Sequence, residues 1–95
     1  MAARMKLAVM KKPNPQLSAR EVFGRILRRA RRLKDVSQEE LALRADLSRT
    51  YVSEVERGVR NVSIDNMGLL SQALGVPLRD LVDPALFSTL DDTFK

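Results

Sequence analysis

"SQEELALRADLSRTYVSEVERG", residues 37–58, decides the fold. Ser37 precedes a short run, 38–45, whose apolar face is Leu41, Ala42 and Ala45, and Glu40 three residues on makes an S-x-x-E capping pattern. Asp46 and Leu47 form a turn. Ser48 then caps a second run, 49–57, and Gly58 supplies the left-handed residue that ends it. Ala42 falls where the two helices must cross, a place that wants a small side chain, while Val52 and Val55 face inward and Leu47 plugs the turn.

The same signals repeat on either side. Ser18 with Glu21 is another capping box, opening a helix to about Lys34 with Phe23, Leu27, Ala30 and Lys34 on one stripe and Val22, Ile26 and Leu33 beside it. After Gly58, Ser63 caps "IDNMGLLSQAL", where Ile64, Met67, Leu70 and Leu74 recur at helical spacing, and Gly75 stops it. Pro77 suits the first turn of a fifth helix, "PLRDLV", carrying Leu78, Leu81 and Val82. Asp83 before Pro84 is a cap and first-turn pair, so "PALFSTL" is a candidate short extra helix, and residues 91–95 are expected to fray. Residues 1–17 end in Lys-Lys-Pro-Asn-Pro and read as a basic, extended arm. Such an arm is either a plain leader or a segment that follows phosphates beside a main contact.

Composition narrows the class. The chain has 95 residues, 44% of them hydrophobic and four aromatic, and no window alternates β-branched residues as a strand would, so the expectation is one small all-α domain. There is no cysteine and no histidine, which excludes disulfides, thiolate zinc sites, thiol nucleophiles and imidazole bases. With no glycine-rich phosphate loop and no clustered acids, nothing proposes a reaction, an enzyme is not expected, and no metal or other cofactor is called for. "LAVM", residues 7–10, is far shorter than a signal core or membrane span, so a soluble, cytoplasmic protein with no membrane partner is expected. Residues 1–34 hold eleven Lys/Arg against one acid, a net +10, whereas 35–95 hold six against eleven. That asymmetry favours an anionic partner such as nucleic acid.

Two short helices joined by a tight turn have the dimensions of a helix-turn-helix. "FGRILRRARRLKDVSQEELALRADLSRTYVSEVERG", continued by "SIDNMGLLSQALGVPLRDLV", resembles the Cro/repressor-type (XRE) helix-turn-helix family over residues 22–82. "SQEELA", "VERG" and "ALGVPLRDL" carry most of the likeness, and Asp46 departs from it where the turn often has glycine. Within the family, "SRTYVSEVERGVRN" is most similar to restriction-modification controller proteins and to related short phage or mobile-element regulators. The resemblance implies a five-helix, lambda-repressor-like DNA-binding domain over 18–90, and a regulator of transcription at its own promoter or a neighbouring operon. It does not separate activator from repressor. An antitoxin, or an interaction module built on the same fold, is the alternative from another class.

Helical phase, about 100° per residue, sorts the second run. Val52, Val55 and Glu56 turn inward; Thr50, Ser53, Glu54 and Arg57 turn outward, with Arg49 at the N-terminal end. Arg49 has the planar fork for guanine O6 and N7, Thr50 can meet a base or a thymine methyl, and Tyr51 suits phosphate or sugar. Ser53 is a weaker contact, and Ser48 joins the set at the cap. Glu54 has three readings: an acceptor from cytosine N4, a repeller of phosphates, or a solvated acid. The resemblance implies a backbone contact for Gln38 at the N-terminus of the first run, and Arg60 and Asn61 are placed for sugar-phosphate or a base edge. It also implies a cation for the inward Glu56, namely Arg31; the alternative is a solvated Glu56. The other arginines of "RRARR", 28–32, read as mostly solvated.

A domain this size covers half a site, so a homodimer on a pseudo-palindrome is expected. Leu78, Val82, Leu86, Phe87 and Leu90, in a region of about 78–90, are the candidate interface, although Leu78 and Val82 suit the monomer core equally. RNA polymerase is a further candidate partner, through Asp35, Glu39 and Glu40.

Overall fold

Four serines start four helices. In the computed structural model, which describes residues 17–85, the hydroxyls of Ser18, Ser37, Ser48 and Ser63 accept the backbone N–H three residues on, at 3.0–3.2 Å. Each thereby satisfies one of the amide donors that a helix start leaves unpaired. The helices are α1 (Ala19–Leu33), α2 (Gln38–Ala45), α3 (Arg49–Glu56), α4 (Ile64–Leu74) and a single turn, α5 (Leu78–Leu81). Among the described residues there is no strand, and no helix is long and apolar enough to cross a membrane.

The caps differ in one respect from the sequence expectation. At Ser18 the box is complete, with Glu21 Oε1 accepting from the Ser18 N–H at 2.7 Å. At Ser37 it is half a box, because the Glu40 carboxylate turns along the helix to Arg44, four residues on, at 3.1 Å. An i,i+4 acid–base pair offers that carboxylate a cation, which a backbone amide cannot match in charge. The ends are set by backbone geometry: Asp46, at φ 59°, closes α2 in the left-handed region, and Gly58, at φ 76°, follows α3. Asp tolerates that region better than most residues, so the departure from glycine at the turn is accommodated.

The core is a single cluster. Ile26, Leu27, Leu41, Leu70, Leu81, Val52 and Val55 are sealed from solvent, and Phe23, Ala42, Ala45 and Leu74 join them, with Val36 and Val62 entering from the connecting loops. α1 crosses α3 at Gly24. A side-chain carbon there would overlap the Val55 carbonyl oxygen and come within 2.9 Å of the Glu56 carbonyl oxygen, so only glycine lets the backbones meet. No periodicity rule flags that position.

Two apolar positions expected inside are outside, Leu33 at 62% exposed and Ile64 at 66%, while Val82, which suited core or partner surface equally, is 46% exposed. Leu33 and Ile64 each stand at the end of a helix, and Lys34, also placed on the stripe, is an exposed cap residue. Conversely Arg29, read as solvated, is buried. It continues the Val22–Ile26–Leu33 stripe, and burial reaches the head, whose Nε and Nη2 are enclosed along with the aliphatic stem. The fifth helix is shorter than "PLRDLV", since Pro77 is its cap and Val82 already leaves it. Asp83 Oδ1 accepts from Ala85 N–H at 3.0 Å, the capping contact expected of the Asp-Pro pair. The basic arm, the segment with Leu86, Phe87 and Leu90, and residues 91–95 lie outside the described residues, apart from Leu17.

Candidate nucleic-acid interface

The inner face of α3 is fixed before the outer face can act. Val52 and Val55 are fully buried, and the next inward residue, Glu56, is 6% exposed. An isolated carboxylate there would be costly. Arg31 of α1 meets it with two bonds, Nε to Oε2 at 2.6 Å and Nη2 to Oε1 at 3.0 Å, and places its remaining nitrogen, Nη1, on the Val36 carbonyl at 2.8 Å. Gln38, at the start of α2, donates Nε2 to the same Glu56 Oε1 at 2.9 Å. One buried carboxylate thus ties α1, α2 and α3 together. Gln38, assigned a DNA backbone contact from the resemblance, puts one of its two amide N–H donors on this scaffold while it lines the groove described next.

The outer face is open. Arg49 and Thr50 are exposed at the N-terminal end of α3, Ser53 is half-buried, and Arg57, which caps the helix, is exposed. Ser48 uses its oxygen lone pair on the Tyr51 N–H but keeps its hydroxyl proton to donate. Arg28, Arg32, Arg49 and Arg57 line one open groove of about 680 Å³, together with Ser37, Gln38 and Ser53. Arg28 and Arg32 come from the "RRARR" run that reads as mostly solvated. The signal that could have found them is their 4-residue spacing, which puts both on the α1 face turned toward α3. Such a groove, at the N-terminus of α2, suits a phosphate, because guanidinium forks and helix amides both favour anions. Glu39 stands on the same wall, at its edge.

Beyond α3 the rim is organised around Tyr51. The Arg60 guanidinium lies 4.9 Å from the Tyr51 ring centroid and binds Glu54 Oε1 through Nε at 3.1 Å and Nη2 at 2.9 Å. The Tyr51 hydroxyl accepts from Asn66 Nδ2 at 3.0 Å, so α3 is pinned to α4. Glu54 is therefore neither solitary nor fully solvated; its side chain is 30% exposed. No spacing rule joins it to Arg60, six residues away across the left-handed turn at Gly58. Asn61 is exposed beside this cluster. At the far end, Leu78 is half-buried and Val82 exposed, which separates two residues that the sequence left equivalent. Among the described residues no group of acidic side chains is gathered to hold a metal ion.

Comparison with known proteins agrees with this geometry. Residues 27–81 match the family described as helix-turn-helix. The control protein C.BamHI of Bacillus amyloliquefaciens is 52% identical over 65 residues, covering 67% of this chain and 80% of that protein. The crystal structure of the restriction-modification controller protein C.AhdI from Aeromonas hydrophila superposes with a TM-score of 0.64 at 47% identity, over 65% of this chain and 90% of that one. A hypothetical transcription factor from Neisseria, NHTF, gives a TM-score of 0.71 at 39% identity, over 83% and 88% of the two chains.

Proposed function

This chain belongs to the Cro/repressor-type helix-turn-helix family of DNA-binding regulators, its relatives including restriction-modification control proteins, and we propose that it is a sequence-specific transcriptional regulator that binds a pseudo-palindromic operator as a homodimer. The observation that carries this is the division of α3 into a face locked by Arg31, Gln38 and Glu56 and a face that offers Arg49, Thr50 and Ser53 beside an arginine-lined groove. Arg49 reads a guanine edge, with Thr50 and Ser53 alongside. Arg28, Arg32 and Arg57, with Ser48, hold the phosphates that flank it, and phosphate contacts set register rather than sequence. Tyr51, Arg60 and Asn61 extend the contact to the sugar-phosphate backbone on the other side of α3.

One such domain spans about half a site, so two copies with half-sites about one turn apart are needed for useful affinity. The interface is formed by Val82 and the Leu86, Phe87 and Leu90 segment, with Leu78 divided between core and contact. The exposure of Val82, 46%, supports its assignment to a partner surface. Glu39 and Asp35, both exposed, are the residues through which polymerase would be met, since Glu40 is already paired with Arg44.

Selection of bound duplexes from a random DNA pool tests the reading in one step. The expected result is a two-fold symmetric consensus with a guanine in each half that Arg49→Ala no longer selects; enrichment of no sequence would reject it.

A further inference from the structure

One edge of the Arg60 guanidinium is already engaged within the chain. Nε and Nη2 both point at Glu54 Oε1, and the guanidinium rests over the Tyr51 ring, itself anchored by Asn66. The Nε/Nη2 edge is one with which a guanidinium grips a carboxylate, a phosphate or a base. A carboxylate of the same chain therefore sits where a DNA acceptor would sit.

We propose that Glu54 is a selectivity residue acting through Arg60: its carboxylate stands in for a phosphate, keeps Arg60 docked on Tyr51 when the DNA is non-operator, and yields it only to a well-placed acceptor on the operator. This rests on the DNA-binding reading above. The exposure of the two side chains, 47% for Arg60 and 30% for Glu54, gives the pair the strength such a role requires. A pair so open to water is weak enough for an oriented acceptor to replace. It still competes with phosphates in general, because the carboxylate is tethered on the same chain at high effective concentration. Glu54 sits on α3 and Arg60 in the loop beyond, so the pair also fixes where that loop presents its cation.

The test is a cycle of Glu54→Gln, Arg60→Ala and the double variant in the full chain, titrated with the selected operator and with a scrambled duplex of equal length across a salt series. Glu54→Gln is expected to tighten the scrambled duplex by up to about fivefold, the most that release of an exposed ion pair returns. It should also steepen the slope of log affinity against log salt by about 0.9, one phosphate contact. The operator-to-scrambled ratio should fall, and in the Arg60→Ala background Glu54→Gln should change nothing. Equal tightening with and without Arg60 would overturn the proposal in favour of direct repulsion, and relaxed choice at a single base pair would overturn it in favour of base reading by Glu54. A DNA-independent arm uses the Arg60 Nε–Hε resonance, expected to be shifted and protected against exchange in the wild type and to collapse onto the exposed arginines in Glu54→Gln. Operator binding without that signature would remove this proposal alone, whereas the signature in a chain that binds no duplex would remove the DNA reading and the proposal with it.

Discussion

Glu56 and Glu54 stand two residues apart on α3, and each faces an arginine, yet the two pairs differ in everything that sets the energy of an ion pair. Arg31–Glu56 has side chains 11% and 3% exposed, a bidentate fit, and further bonds to Gln38 and the Val36 carbonyl. Arg60–Glu54 has side chains 47% and 30% exposed and closes a loop on the surface. A buried pair holds charges that have nowhere else to go, so its loss is felt by the whole fold. A pair in water can open and re-form, so it is available for exchange with a ligand. Just over half a turn of helix thus separates scaffold from contact surface.

The comparison breaks first on the inside. Glu56→Ala leaves Arg31 and Gln38 facing an empty site, and the expected loss is about 3–5 kcal/mol, as for a buried pair robbed of one partner. In a domain this small each kcal/mol lowers Tm by about 4–8 °C, so thermal unfolding followed by circular dichroism would show it plainly. A loss of a few tenths would mean that the carboxylate is hydrated instead. Next comes Gly24→Ala, which drives a methyl group into the Val55 carbonyl; overpacking of this kind costs about 1–3 kcal/mol, partly offset by the better helix propensity of alanine. Unchanged stability would show that α1 can move away from α3.

Smaller effects mark the edges. Ser48→Ala removes the α3 cap and is expected to lower stability by about 1 kcal/mol. It should also weaken operator binding more than Ser18→Ala does, since only the first cap adjoins Arg49. Smallest on stability is the rim pair: Glu54→Gln should change the unfolding free energy by no more than exposed pairs contribute, about 0–1 kcal/mol. Acid brings in Glu21, whose carboxyl is held below the ordinary glutamate value, first by the Ser18 backbone N–H and then by the Ser18 side chain. Folding therefore favours its ionised form, so its contribution is complete above the ordinary value near 4.5 and is lost as the pH falls through the lower folded value. Glu21→Gln should flatten that part of the stability profile, and an unchanged acid slope would show that the box forms equally in the unfolded chain.

Much of this was legible in residues 37–58. Serine caps, inward valines and the crossing alanine are local patterns, and they located four helices within a residue or so. Helical phase also separated the two glutamates. What the sequence could not carry was distance between elements. Gly24 reads as an unremarkable residue in a helix until α3 lies across it. Arg28 and Arg32 read as solvent charge until the groove brings them beside Arg49 and Arg57. Gln38, given a DNA backbone contact by resemblance, also bonds Glu56, a partner that spacing along the chain does not show. The stripe ends at Leu33 and Ile64 failed for a related reason, because periodicity alone does not say where along a helix the packing stops.

The division of α3 stands or falls on Arg49. Titration of Arg49→Ala with the selected operator and with scrambled DNA, on protein whose melting curve is measured in parallel, should lower operator affinity by about 1–3 kcal/mol, the worth of a bidentate guanine contact. Scrambled DNA should be affected far less, and Tm should hold, because Arg49 touches nothing inside the fold. An unchanged operator-to-scrambled ratio, or a fall in Tm comparable with that of Glu56→Ala, would contradict the separation of a reading face from a structural one.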